Sequence, residues 1–238
     1  YFYNQYISPI PAFKSLSNVH SLILSHHADK DTRNAILSEA DQLSAGERQA
    51  TAETFTFSPL KSIFSTISIQ GISLPEGFYY YDPYVISHSS LYPKFVNSEN
   101  TLICKEDEFA SKFKKVYDSL CQDFIQLKDI TNYNCAINSS LTILEKHLSL
   151  IPSASYKSIP DVSLYDHSRM TAAIASCLYL SDDYNQPFLF IEGDISGIQN
   201  YIYNIKNAEG VELKMAKRLR GRSFEIVLVT DAIVTYIL

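Results

Sequence analysis

The stretch Phe188-Leu189-Phe190-Ile191-Glu192-Gly193-Asp194-Ile195-Ser196-Gly197-Ile198-Gln199 decides the fold predicted for this chain. Its four leading apolar residues follow a proline and end at an acidic residue and a glycine, a pattern typical of a short strand buried on both faces. Isoleucines then recur at helical spacing, at Ile198, Ile202 and Ile205. The sequence therefore predicts a core strand that turns directly into a helix, with Asp194 at the turn.

The carboxylate at this turn has two interpretations. Asp194 could cap the N-terminus of the helix, which would contribute about 1 kcal/mol of stability. It could instead hold a divalent metal, while the helix N-terminus offers N–H groups to a phosphate. Gly193 and Gly197 would let the backbone come close to such a ligand. The pattern alone leaves both interpretations open.

A basic cluster follows on a segment whose apolar residues have helical spacing. Its members are Lys214, Lys217, Arg218, Arg220 and Arg222. Such a run can be a solvated helix face, or it can contact the phosphates of a nucleotide or an RNA, for which arginine forks are suited. Tyr201 and Tyr203 could stack on a base or be ordinary surface residues. The almost wholly apolar residues 224–238 predict a long buried helix.

The spacing of apolar residues predicts helices within the first 50 residues, one over residues 19–24 and a second over about 32–43. His26 and His27 follow the first of these, and Asp41 lies on the second. A surface histidine doublet is one interpretation. The other is a metal-dependent phosphodiesterase site whose ligands come from successive helices. None of the six histidines is followed by Asp, so the residues leave this site open.

Short strands broken by prolines are predicted between residues 51 and 95. Amphipathic patterns predict helices over 106–128 and 138–149. Asp166 or Ser168 is the predicted cap of a further helix that ends at Leu180.

Composition excludes several classes of protein. A net charge of −6 argues against a surface that is basic throughout, although it permits a local basic face. The four cysteines contain no C-x-x-C pair, which makes a zinc knuckle improbable and favours reduced thiols. No apolar run approaches the ~20 residues of a membrane span. The chain is expected to be cytoplasmic, without a membrane partner, and to be part of a longer polypeptide because it starts at Tyr1 rather than Met.

Five blocks, in order, resemble the large subunit of type III CRISPR effector complexes, in its Csm-type branch. The blocks are residues 25–27 with 39–48, residues 58–65, residues 159–175, residues 193–199 and residues 216–224. They span nearly the whole chain, and the combination is much more specific than any single block.

The resemblance implies an α+β fold with two domains. Residues 1–52 would be a partial, all-helical HD domain. Residues 53–238 would be the first palm domain, ferredoxin-like as in nucleotidyl cyclases and polymerases, with helical additions and an incomplete C-terminus. In that palm the first strand is residues 188–191, the first helix follows Gly197 and the second helix begins near Leu213.

The resemblance also implies a function for the full-length protein. It would join other subunits, CRISPR RNA and target RNA, convert ATP to cyclic oligoadenylate with Mg or Mn, and cleave single-stranded DNA through an HD site holding Mn, Ni or Co. The implied nucleotide-binding residues are Asp194, Ser196, Gly197 and Gln199. The implied phosphate or RNA contacts are Lys217, Arg218, Arg220 and Arg222, and the implied metal ligands are His26, His27 and Asp41.

The chain departs from the family pattern in two ways. It contains no Gly-Gly dipeptide, so the catalytic Gly-Gly-Asp-Asp hairpin of the second palm is missing, and the early His-Asp motif of the nuclease is also missing. By itself the chain is expected to be inactive in both reactions. Two alternatives stay open: a stand-alone nucleotidyl cyclase, and a catalytically silent palm that only docks subunits or RNA.

Overall fold

The computed structural model describes residues 1–16, 19–25, 32–45, 58–65, 67–68, 76–82, 92–97, 106–153, 160–204 and 215–237. Within these ranges the helices are α1 (Val19–Ser25), α2 (Thr32–Ser44), α3 (Glu106–Ile125), α4 (Tyr133–Leu148), α5 (Leu164–Leu180), α6 (Ile198–Tyr203) and α7 (Met215–Ile237). The strands are β1 (Leu60–Lys61), β2 (Phe78–Tyr81) and β3 (Lys94–Val96). The predicted α+β class is confirmed. The chain divides into two compact units, Tyr1–Phe188 and Leu189–Leu238, whereas the predicted domain boundary at residue 52 stays a prediction.

The core of the first unit forms where α3 and α4 meet the turns at the start of the chain. On α3, Leu120 and Phe124 lie one helical turn apart and are almost completely buried. The ring of Phe124 meets the ring of Phe2 edge-on, with 5.3 Å between their centroids. This packing follows from the amphipathic spacing predicted for residues 106–128.

Side-chain caps fix where α4 and α5 begin. Asn132 accepts a hydrogen bond from the N–H of Cys135 at 3.0 Å, so α4 starts five residues before the predicted 138. At α5, Ser163 accepts from the N–H of Asp166 at 3.0 Å and donates its hydroxyl to the Asp166 carboxylate at 2.6 Å. The predicted cap at Asp166 or Ser168 is therefore wrong: Ser163 is the N-cap residue, and Asp166 is the third residue of the helix.

The sheet of the first unit is antiparallel, with strand order β1-β2-β3. Gly77 precedes β2 with a φ of +116°, and a Cβ there would collide with the carbonyl oxygen of Val96 on β3. The N–H of Lys61 donates to the carbonyl of Pro160 at 2.7 Å, which joins β1 to the segment that leads into α5. The short strands predicted between residues 51 and 95 are confirmed for β1, β2 and β3.

The predicted strand over residues 188–191 is wrong. These residues are irregular, and Leu189 and Phe190 are 84% and 92% exposed. A strand buried on both faces needs neighbours that take up its N–H and C=O groups. Of the described strands, none pairs with this segment.

In the second unit α6 packs against α7. Helix α7 is continuous, although the sequence predicted one helix that begins near Leu213 and another over residues 224–238. The predicted helix is confirmed but its burial is wrong: Phe224 is 62% and Tyr236 92% exposed. A six-residue helix is too short to cover a 23-residue one. Across the described ranges, no helix has the length and apolar character needed to cross a bilayer.

Candidate functional site

The turn of the second unit is built on a left-handed glycine. Gly197 has φ +76° and ψ 14°, and its carbonyl accepts from the N–H of Tyr201 at 2.9 Å, which opens α6. This backbone conformation favours glycine because a Cβ would crowd the following carbonyl. Gly197 is therefore the N-cap residue, and the interpretation of Asp194 as the helix cap is wrong.

The polar side chains of this turn face solvent. Asp194, Ser196 and Gln199 are exposed. None of the three makes a side-chain hydrogen bond to another residue that the structure describes. Mg²⁺ typically takes one or two carboxylates and fills its other positions with water and phosphate oxygens. The turn can therefore supply one carboxylate ligand to a metal-bound nucleotide; no group of three or more His, Cys, Asp or Glu side chains forms a metal cluster among the described residues.

Arg222 of α7 holds the far end of α6. Its Nη1 donates to the carbonyl oxygens of Tyr201 at 2.6 Å and Asn204 at 2.9 Å. Its guanidinium carbon lies 5.2 Å from the centre of the Tyr201 ring, and the Tyr201 hydroxyl donates to the carboxylate of Glu225. That hydrogen bond raises the pKa of Tyr201. We call Arg222, Tyr201 and Glu225 the α6 clasp.

The other basic candidates of α7 are less engaged than Arg222. Lys217, Arg218 and Arg220 are exposed, and none forms an ion pair with the rest of the described chain. Lys214 lies outside the described residues. The structure thus separates one basic residue that binds the protein itself from three that face solvent.

Asp41 lies in a polar junction between α2 and α5. Its Oδ1 accepts from Nε2 of His167 at 2.9 Å. Nδ1 of the same ring lies 3.0 Å from the hydroxyl of Ser44, which lies 2.7 Å from the hydroxyl of Thr171. With both nitrogens bonded, the His167 ring has a fixed orientation. His26 and His27, the other candidate ligands, lie outside the described residues.

The junction has the connectivity of a Ser-His-Asp triad, but its bonding favours a structural role. Besides His167 and Thr171, the Ser44 hydroxyl also bonds the carbonyl of Asp41 at 2.9 Å, so its hydrogen-bonding capacity is filled. Sequence reasoning missed His167 as the partner of Asp41. The available signal was the i, i+4, i+8 spacing of Ser163, His167 and Thr171, which places three polar side chains on one face of α5.

A second charged cluster joins α3 and α4. The Asp123 carboxylate lies 2.7 Å from Nζ of Lys146 and 2.7 Å from Nε2 of His147. These bonds, led by that from Lys146, hold the pKa of Asp123 below its ordinary value. The side chain of His147 is completely buried, so this cluster ties the two helices together through their core.

Comparison with known proteins finds similarity to one family. Residues 187–238 match the family model described as Csm1 subunit domain B. The chain is 30% identical over 220 residues to the single-strand-specific deoxyribonuclease Cas10/Csm1 (subtype III-A) of Enterococcus italicus. This alignment covers 83% of this chain and 26% of that protein. It is 29% identical over 269 residues to the Cas10/Csm1 of Methanocaldococcus jannaschii, which covers 94% of this chain and 32% of the relative.

The fold is also similar to a solved structure, that of a Csm1–Csm4 cassette in complex with pppApApA. The TM-score is 0.51 at 21% identity, over 92% of this chain and 28% of that one. These findings confirm the predicted resemblance to Csm-type large subunits. The chain spans about a quarter to a third of the length of the two curated relatives.

Proposed function

We propose that this chain, a relative of the subtype III-A Cas10/Csm1 proteins, is part of the large subunit of an RNA-guided antiviral CRISPR effector complex. The observation that carries the proposal is the match of residues 187–238, which contain both the Gly193–Gln199 turn and α7, to Csm1 subunit domain B. The similarity to Cas10/Csm1 beyond this segment, over 83% of the chain, supports it. In such a complex the protein would work in the cytoplasm with other subunits, CRISPR RNA and target RNA.

Within this function, residues 53–238 would belong to the ferredoxin-like first palm and cradle ATP. The exposed turn supports this role, because the Asp194 carboxylate faces solvent and can reach a metal-bound phosphate. Gly197, which has no side chain, lets the backbone come close to the same ligand. The solved cassette was crystallised in complex with pppApApA, which supports an oligoadenylate as a ligand of this protein class. Mg or Mn would neutralise the phosphates during transfer, and a second palm would complete the site.

The test uses the full-length protein, assembled with its subunits and guide RNA. Target RNA, Mg²⁺ and ATP are added, and oligoadenylates are measured by mass spectrometry. Asp194→Ala is expected to reduce the product about 10- to 100-fold, since misplacing a reacting group costs up to about 10²-fold. The control, Asp182→Ala, removes another exposed carboxylate. A wild-type complex that makes no oligoadenylate would refute the proposed synthase activity. An Asp194→Ala variant as active as wild type would favour the alternative in which this palm is catalytically silent and only docks subunits or RNA.

We also propose that residues 1–52 contribute to a single-strand DNA nuclease. Both curated relatives are named as single-strand-specific deoxyribonucleases. His26, His27 and Asp41 would be ligands for Mn, Ni or Co. Since His167 engages Oδ1 of Asp41, Oδ2 is the oxygen left for a metal.

DNA cleavage by the complex in Mn²⁺ tests the ligand assignment. Asp41→Asn keeps an acceptor for His167 but loses the charge. Cleavage of a labelled single strand should therefore fall at least about 10-fold, the loss typical when a metal site loses a group that orients its ligands. Glu39→Gln changes an exposed carboxylate on the same helix and should have no effect. Equal cleavage by both variants would remove Asp41 from the metal site.

A further inference from the structure

We propose that Arg222 is a positioning residue, which sets the place of the Gly193–Gln199 turn by holding α6, and that it does not contact phosphate or RNA. The inference rests on the proposed nucleotide function of the turn. It separates Arg222 from the solvent-facing Lys217, Arg218 and Arg220, with which its position in the sequence groups it.

The contacts of Arg222 occupy its guanidinium on two sides. One nitrogen, Nη1, donates at 2.6 and 2.9 Å to the carbonyls of Tyr201 and Asn204, in the last turn of α6 and at its C-cap. The guanidinium lies 5.2 Å from the Tyr201 ring centre. A cation at a helix C-terminus bonds carbonyls that have no partner within the helix and complements the helix dipole. One nitrogen and one face of the guanidinium are therefore both engaged by α6.

Tyr201 makes the contact reciprocal. Its hydroxyl donates to the carboxylate of Glu225, three residues beyond Arg222 on α7. Residues i and i+3 of a helix are neighbours on one face, so α7 presents a cation and an anion to the same aromatic side chain. Tyr201 is held at its ring and at its hydroxyl, which fixes α6 against sliding along α7.

Holding α6 also holds the turn. A helix of six residues is not stable alone, because nucleation is costly and few bonds repay it. The helix begins at Gly197 itself, through the bond between the Gly197 carbonyl and the N–H of Tyr201. Without the clasp, the last turn of α6 would fray and the bond between Tyr201 and Gly197 would be lost more often. Gly197 would then no longer hold the neighbouring Ser196 and Asp194 in place. The clasp thus acts on the turn from its opposite, C-terminal side.

The experiment measures steady-state oligoadenylate synthesis by the full-length, RNA-activated complex as a function of ATP concentration. Arg222→Ala is expected to raise the KM for ATP about 10-fold with kcat changed by less than about 3-fold, the pattern of lost binding rather than lost chemistry. Arg222→Lys should restore part of the loss, because an ammonium can reach the carbonyls but cannot stack as a plane. The control, Arg169→Ala, removes an exposed arginine of α5. A variant that merely folds less well would lower kcat and leave the KM unchanged.

Hydrogen exchange of the same complexes supplies the second readout. The amides of Tyr201 and Asn204 should exchange about 10-fold faster in Arg222→Ala than in wild type or Arg169→Ala, since the clasp no longer opposes fraying. A raised KM with unchanged exchange would mean that Arg222 meets the nucleotide directly, and this would overturn the inference. Unchanged KM in an active complex would overturn it as well. A wild-type complex without synthase activity would refute the proposed function, while the exchange data would still report whether the clasp holds α6.

Discussion

Two amphipathic helices, α3 in the first unit and α7 in the second, bury their apolar faces to very different extents. Phe124 of α3 is 1% exposed and packs edge-on against Phe2. Phe224 of α7 is 62% exposed, and Val227 and Val234 are about half exposed. Both helices have apolar residues at helical spacing. The comparison shows that periodicity identifies an apolar face without telling what covers it.

The polar side chains of the two units differ in a related way. In the first unit, Asp41 and Asp123 each accept a hydrogen bond from a histidine between two helices. In the second, Asp194 is exposed and lacks a side-chain partner among the described residues. The two bonded carboxylates each join a pair of helices, whereas the exposed carboxylate in the turn has both oxygens open to a ligand. The candidate nucleotide site thus lies in the unit with the less complete packing.

The difference in burial between α3 and α7 is tested most directly by truncating one phenylalanine in each helix. Phe124→Ala should lower the free energy of unfolding by about 3–5 kcal/mol, because it removes a buried ring and leaves a cavity. Phe224→Ala should change it by less than about 1 kcal/mol, as an exposed position allows. Urea denaturation followed by circular dichroism measures both. A loss at Phe224 as large as that at Phe124 would show that the α7 face is covered in solution.

The α2–α5 junction gives the next largest effect. Asp41→Ala leaves Nε2 of His167, whose side chain is 11% exposed, without its acceptor. Losing the partner of such a group should cost about 1–3 kcal/mol in urea denaturation. Glu39→Ala on the same helix removes an exposed carboxylate and should stay within about 0.5 kcal/mol. If the two variants lost equal stability, the junction would contribute nothing beyond helix propensity.

Local patterns predicted the helices well. Helix α3 and most of α2 lie where amphipathic spacing predicted them, because this signal comes from residues three and four apart. The start of α4 was missed since Asn132, a good N-cap, was not recognised. The start of α5 was missed for the same reason at Ser163. Both errors concern caps, which depend on a single residue and not on a period.

Long-range relations could not be predicted from the residues. The bond between Asp41 and His167 joins positions 126 residues apart. The run Phe188–Ile191 has the composition of a buried strand, yet burial depends on partner strands that no local pattern specifies. Arg222 has the same sequence signal as its basic neighbours, and its bonds to α6 distinguish it only in three dimensions.

The turn of the second unit offers a smaller and more local test. Gly197 has a φ of +76°, so Gly197→Ala should destabilise α6 by about 1 kcal/mol, the usual cost of a left-handed conformation for a residue with a Cβ. Gly193→Ala is the matched control, because its Cβ would meet nothing within 4 Å and its φ is not positive. Hydrogen exchange of the α6 amides measures the difference. Equal exchange in both variants would argue that Gly197 is not needed to begin the helix.

The smallest expected effect is the pH dependence of the α3–α4 cluster. Hydrogen bonds from Lys146 and His147 lower the pKa of Asp123 from its ordinary value of 3.8, so the ionised form is favoured in the folded state. Its contribution to stability is therefore present above about pH 4 and is lost as the pH falls through the lowered pKa. Asp123→Asn keeps an acceptor for His147 but has no charge to lose. Urea titrations between pH 7 and pH 2 should show wild type more stable at neutral pH, with the gap closing in acid. Asp118→Asn, which removes the exposed partner of Lys114, should follow wild type throughout. A gap that persists at pH 2 would assign the stabilisation to the shape of the carboxylate and not to its charge.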